Sequence, residues 1–122
     1  MLGSIIGDST GSFYERQYLW CNDLKNKPKY DEVKIMNGEI SDDSLMTIAI
    51  CDALLQCNKD YSKLEQKAIK CMQEYGRAYP DVGYGAGFYK WIHSENPQPY
   101  NSFGNGAAMR VSSVAYFASS LE

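Results

Sequence analysis

Histidine is nearly missing from this chain: His93 stands alone with no partner at ligand spacing, and the four cysteines, Cys21, Cys51, Cys57 and Cys71, make no CxxC pair. A zinc centre of thiolates and imidazoles is therefore not expected. Basic clusters are missing as well. Twelve Lys and Arg against fifteen Asp and Glu leave a formal charge of −3, which gives no electrostatic footprint for nucleic acid and no basic face for an anionic membrane. The opening Met1-Leu2-Gly3-Ser4-Ile5-Ile6 has no positive region and reaches Asp8 too soon for a signal peptide. No apolar run approaches membrane-spanning length, and there is no β-type alternation, repeat or low-complexity tract. What is present, 44% hydrophobic and 22% charged residues, is ordinary for one small globular domain over residues 1–122. Cys51, Cys57 and Cys71 fall inside helical apolar patterns, as reduced, buried thiols of a cytoplasmic protein would.

The apolar spacing predicts an all-α fold. A first helix is expected over residues 2–15, weakened by Gly7 and Gly11, because glycine costs about 1 kcal/mol against alanine inside a helix. Residues 16–40 read as polar and irregular, with turns at Pro28, Asn37 and Gly38. A second helix starts at Asp42 with Ser41 as its N-cap and runs to about Cys57; it is apolar nearly all round, the mark of a central helix. A third, from Ser62 to about Ala78, carries a stripe of Leu64, Ala68, Cys71, Met72, Tyr75 and Tyr79, with Lys63, Lys67, Lys70 and Glu74 toward water. Residues 80–106 are rich in Gly, Asn, Pro and aromatics, with a short helix over Phe88–His93. A last helix is expected from near Ala107 through Met109, Val111, Val114 and Phe117.

Chemistry concentrates in Ser41-Asp42-Asp43-Ser44. Four hard oxygen donors in four residues suit Mg2+ or Mn2+. Such a stretch alone is more often a cap, with Ser41 taking up a free N–H and the acids complementing the helix dipole. Its place at the head of an apolar helix favours the metal reading, since carboxylates at a buried end need a compensating charge. In Gly7-Asp8-Ser9-Thr10-Gly11-Ser12, small residues permit close packing, Asp8 is placed near the site, and Glu15 is placed on a mobile loop that follows. Two glycine-rich loops complete the set: Gly83-Tyr84-Gly85-Ala86-Gly87, and Ser102-Phe103-Gly104-Asn105-Gly106, which leads into a helix whose free N–H groups suit a phosphate. Tyr84 or Phe103 offers a stacking face for a base. With an acidic metal motif, these loops point to a phosphorylated nucleoside.

The segments GDSTGSFYE, SDDSLMT, GYGAG and YNSFGNGAAMRVS, in this order and spacing, resemble the N-terminal half of the ADP-ribosylglycohydrolase family, from Met1 almost to Glu122. The resemblance implies an all-α, metal-dependent fold that removes ADP-ribose from modified proteins or small conjugates. It places Ser41, Asp42 and Asp43 in the family's first metal motif, usually written T-D-D, with serine here for threonine. It makes Asp42 and Asp43, with Glu15 near the scissile bond, the catalytic set. Gly83, Tyr84, Gly85 and Gly87, with Ser102, Phe103, Gly104, Asn105 and Gly106, match the loops that hold adenosine and diphosphate. Arg110 follows the second loop, where it is expected to brace that loop.

Family members are roughly twice as long, and their second half carries a further G-D-x-D motif followed by Ser or Thr, which completes a two-metal site. No such segment follows Arg110. Two readings stand. One is a truncated, non-catalytic domain that keeps the first metal motif and the ligand loops and acts as a binding module, holding Mg2+ or Mn2+ weakly or not at all. The alternative is the N-terminal half of an active hydrolase, completed by a second chain. In both, a complementary chain or target protein is expected to cover the apolar second helix.

Overall fold

A computed structural model describes residues 2–20 and 39–118 as an all-helical fold. Five α-helices follow in order: α1 (Leu2–Trp20), α2 (Asp42–Cys57), α3 (Leu64–Ala78), α4 (Ala86–Ile92) and α5 (Gly106–Met109). Two 3-10 helices, Tyr61–Lys63 and Val111–Tyr116, precede α3 and follow α5. The turns expected at Pro28, Asn37 and Gly38, and Cys21, lie outside the described residues.

The centre is α2. Ser41, in extended conformation, accepts the Asp43 N–H at 3.2 Å and fixes where the helix begins. Asn58 closes it in the left-handed conformation (φ 47°), its N–H returning to the Leu55 carbonyl at 3.1 Å. Leu45, Met46, Ala49 and Ala53 of α2 form the core with Cys71 and Met72 of α3. Cys51, Cys57 and Cys71 are buried free thiols, packed as the small hydrophobes their positions predict.

The chain itself wraps most of α2. Its first turn meets α1, its flank lies along α3, and α5 with the second 3-10 helix packs on the remaining side. Only Leu55 and Gln56 of α2 are exposed, so the helix is not the bare apolar surface expected from its composition. Exposed apolar side chains include Leu2, Ile6 and Phe13 of α1, Leu55 of α2, and Val111, Val114 and Tyr116 of the second 3-10 helix.

Other details differ from the sequence reading. α1 continues to Trp20, because Arg16-Gln17-Tyr18-Leu19-Trp20 contains no glycine or proline to stop it. On α3, Tyr79 lies past the last turn and is exposed, while Lys67 is half-buried and donates from Nζ to the Gln56 carbonyl. The last helix fails as a continuous α-helix: α5 has four residues, and Val111–Tyr116 tightens to 3-10 geometry. Val111-Ser112-Ser113-Val114 are weak helix formers, and the tighter winding delivers the buried Ser113 hydroxyl to the Thr47 carbonyl at 2.9 Å.

α4 is held from behind by α3. Gly76 leaves the space that Ile92 fills: a Cβ there would lie 2.7 Å from Ile92 Cδ1. Arg77 Nε donates to the Ile92 carbonyl at 2.9 Å, and Gln73 Nε2 to those of Trp91 and Ser94 at 3.2 and 2.9 Å. These donors satisfy the carbonyls a seven-residue helix leaves open at its end.

Candidate active site

The site begins with Asp8 of α1. Its carboxylate accepts from Ser41 N at 3.0 Å, Ser44 N at 3.2 Å and Ser41 Oγ at 2.5 Å. Asp8 is therefore committed as the clamp that holds α1 against the first turn of α2. The Ser41 hydroxyl gives its proton to Asp8 and accepts from Asp43 N, leaving one lone pair for a cation. Thr47 Oγ1 donates to the carbonyls of Asp43 (2.8 Å) and Met109 (3.2 Å), joining this turn to α5.

Asp42 and Asp43 are half-buried at the head of α2. Burial first, then the neighbouring Asp43, Asp8 and Glu15 charges, push the Asp42 carboxyl up to about 6. Burial, then Asp8 and Glu15, also raise Asp43. These groups share a negative field, the chemistry that attracts a hard cation. Their number falls short of a complete cage: among the described residues, no three carboxylates, thiols or imidazoles are grouped so as to hold a metal ion. Glu15 sits within α1, not on a loop, with an exposed side chain whose charge is felt at both aspartates.

The segment before α4 lies against Asp42. Asp42 N donates to the Val82 carbonyl at 3.1 Å, and Gly83 takes φ +101°, a conformation that disfavours side chains, 4.0 Å from Asp42 Oδ1 as measured from where a Cβ would stand. Tyr84 turns inward: its hydroxyl is buried without a hydrogen-bond partner among the described residues, its ring meets Phe88 edge-on at 5.7 Å, and burial with Asp42 nearby pushes its pKa up to about 12. It does not line the cleft, so the base-stacking face foreseen for it is taken up by packing.

A cleft of about 760 Å³ opens beside Asp42. Gly85 and Gly87 line one wall; Ser102, Phe103, Gly104, Asn105 and Gly106 line the facing one. At Gly87 the missing side chain admits Tyr100, whose Cε2 would lie 3.4 Å from an added Cβ. Phe103 is fully exposed at the rim. Ser102 Oγ accepts from Gly104 N at 3.2 Å, and the Asn105 carbonyl accepts from Ala108 and Met109, so these two residues shape the loop. Phe88 and Trp91, stacked at 5.5 Å, form the aromatic wall, and Arg110 closes the cleft with its guanidinium 5.5 Å from the Phe88 ring centre. The structure thus brings Asp42 and both glycine-rich loops to one cavity, while Ser41, Asp43 and Glu15 stay outside its lining.

Sequence reasoning missed the commitment of Asp8 and the placing of Arg110 in the cleft. A signal for the second was present: Arg110 is the one charged residue between positions 96 and 121.

The described residues thus form an all-helical fold with paired aspartates at a helix head and glycine-rich walls around a cleft. The family model for ADP-ribosylglycohydrolase matches residues 1–122, and the chain belongs to that family. It is 29% identical over 135 aligned residues to the ADP-ribosylhydrolase ARH3 of Xenopus tropicalis, an alignment covering 94% of this chain and 37% of that protein. The chain thus spans little more than a third of that relative's length. No solved structure matches it.

Proposed function

We propose that this chain binds an ADP-ribosyl group, as free ADP-ribose or on a modified protein or small molecule, and does not cleave it alone. The observation that carries this reading is the single cleft in which Asp42 meets both glycine-rich loops. Its 760 Å³ suits a nucleotide-sized ligand. The open glycines permit backbone approach to a diphosphate, and the exposed Phe103 ring offers an adenine a stacking surface.

Asp42, Asp43 and the free lone pair of Ser41 would hold Mg2+ or Mn2+ as part of a cage. When bound, such an ion would supply Lewis-acid stabilisation of charge at the glycosidic bond. Asp42 faces the cleft and orients the ribose end of the ligand. Glu15, exposed on α1, supplies negative charge that favours a developing positive ribose centre. Two aspartates and a hydroxyl hold a divalent ion weakly, because Mg2+ gives up its waters reluctantly.

A second reading follows from the coverage: the chain is the N-terminal part of an active hydrolase, completed by a partner that supplies further metal ligands. The exposed Leu2, Ile6 and Phe13 of α1, 77%, 53% and 36% accessible, offer an apolar face for a protein contact.

Calorimetric titration of ADP-ribose into the folded chain separates these ideas from a fold without ligand. Saturable one-to-one binding that weakens when Phe103→Ala opens the rim is expected. Heats equal to dilution would remove the binding reading.

A further inference from the structure

Arg110 stands in an unusual electrostatic position. It is half-buried, it lines the cleft, and no carboxylate among the described residues pairs with it. Its contacts are the Met72 thioether, 3.1 Å from Nη1, and the Phe88 ring. A thioether is a weak acceptor, and a guanidinium carries five N–H donors. The buried groups without a hydrogen-bond partner among the described residues are Ser44 Oγ and the Tyr84 hydroxyl, so the other Arg110 donors are not sealed in. Burial pulls the Arg110 pKa down and Tyr100 partly restores it, as expected of a cation short of a counter-charge.

Among the described residues, nothing else lining that part of the cleft supplies positive charge. α5 has four residues, too few for an appreciable dipole at its start, and residues 96–109 contain no ionised side chain. The cleft is therefore bipolar, with the Asp42 carboxylate at one place on its lining and the Arg110 guanidinium at another. Phe88 and Met72 hold the guanidinium, as a preorganised ligand group requires.

We infer that Arg110 is the anion-recognition residue of the cleft, donating its free N–H groups to the diphosphate of the bound nucleotide. This rests on the ADP-ribosyl reading and adds to it a charge that a loop-bracing role does not require. A fork of parallel N–H donors matches two oxygens of a diphosphate, and a lysine point charge does not.

The test compares three probes, ADP-ribose, adenosine and inorganic pyrophosphate, on wild type, Arg110→Gln and Arg110→Lys, with folding checked by circular dichroism. Arg110→Gln should weaken ADP-ribose and pyrophosphate by about 10- to 100-fold and leave adenosine within about twofold; Arg110→Lys should recover only part of the loss. Equal weakening of all three probes by a folded Arg110→Gln would assign Arg110 to bracing alone. Unchanged affinity for all three would also overturn the inference. If wild type binds pyrophosphate through Arg110 but not ADP-ribose, the anion site stands and the ADP-ribosyl reading falls; if it binds neither, both fall. Should the variants not fold, the Arg110 Nε–H resonance of wild type decides: it shifts on pyrophosphate titration, or the inference is wrong.

Discussion

At the scale of single residues, the site is a balance between one clamp and two strained acids. Asp8 satisfies two backbone N–H groups and a hydroxyl at the head of α2. Asp8→Ala leaves those donors without their acceptor, and we expect a loss of about 2 kcal/mol, seen as a fall of roughly 5–10 °C in melting temperature. Asp42 works in the opposite sense. Its carboxyl is raised from 3.8 to about 6, so the folded, metal-free protein binds its proton more tightly than the unfolded chain does. Stability of the metal-free protein therefore declines as pH rises from about 4 to about 6 and stays reduced above that. Asp42→Asn removes the cost. After discounting for the solvent that screens a half-exposed group, the gain near neutral pH is on the order of 1 kcal/mol, about 3–6 °C, and close to zero near pH 4. Thermal melts of both proteins at the two pH values, in chelator, check this; a destabilised Asn variant near neutral pH would contradict it. A residue whose removal stabilises the protein is one kept for function.

At the scale of elements, the junction of α3 and α4 fixes the aromatic wall of the cleft. Gly76→Ala gains helix propensity of about 1 kcal/mol, yet its methyl would press on three atoms of the fully buried Ile92, the nearest at 2.7 Å. The overpacking outweighs the gain, and a net loss of about 1 kcal/mol is expected. Ile92→Val removes the nearest of those atoms, Cδ1, so the double variant should be more stable than the sum of the two single changes predicts, a coupling that denaturant melts of all four proteins measure. The elements also separate what local sequence could reveal from what it could not. Ser41 and Asp42 start α2 where the capping chemistry puts them, and the third helix follows its amphipathic stripe after one 3-10 turn. These are local signals, decided within one or two turns. The 3-10 geometry of Val111–Tyr116 was only partly legible: its weak helix formers are a local signal, but Ser113 reaching Thr47, 66 positions away, is not. The same holds for the site: its motifs stand in the sequence, but Tyr84 packs on the core of α2 and α3, and Arg110 on Met72 and Phe88, contacts between distant segments.

At the scale of the whole molecule, the chain encloses its own central helix and builds one cleft with an acidic and a basic place on its lining. That arrangement suits holding an ADP-ribosyl group. Among the described residues, no three carboxylates, thiols or imidazoles come together beside it. Ligand binding should therefore stabilise the fold by mass action, raising the melting temperature with ADP-ribose concentration, and adenosine should do so less at equal concentration. The central claim is recognition without turnover by these residues. Fluorescence anisotropy of an ADP-ribosyl-serine peptide, labelled on the peptide and followed over time with Mg2+ present, reads both halves at once. The account predicts a rise on mixing that holds steady. A rise that decays to the free-peptide value, and no longer does so in Asp42→Ala, would show cleavage by the chain itself; no rise at all would show that the cleft does not recognise the ADP-ribosyl group.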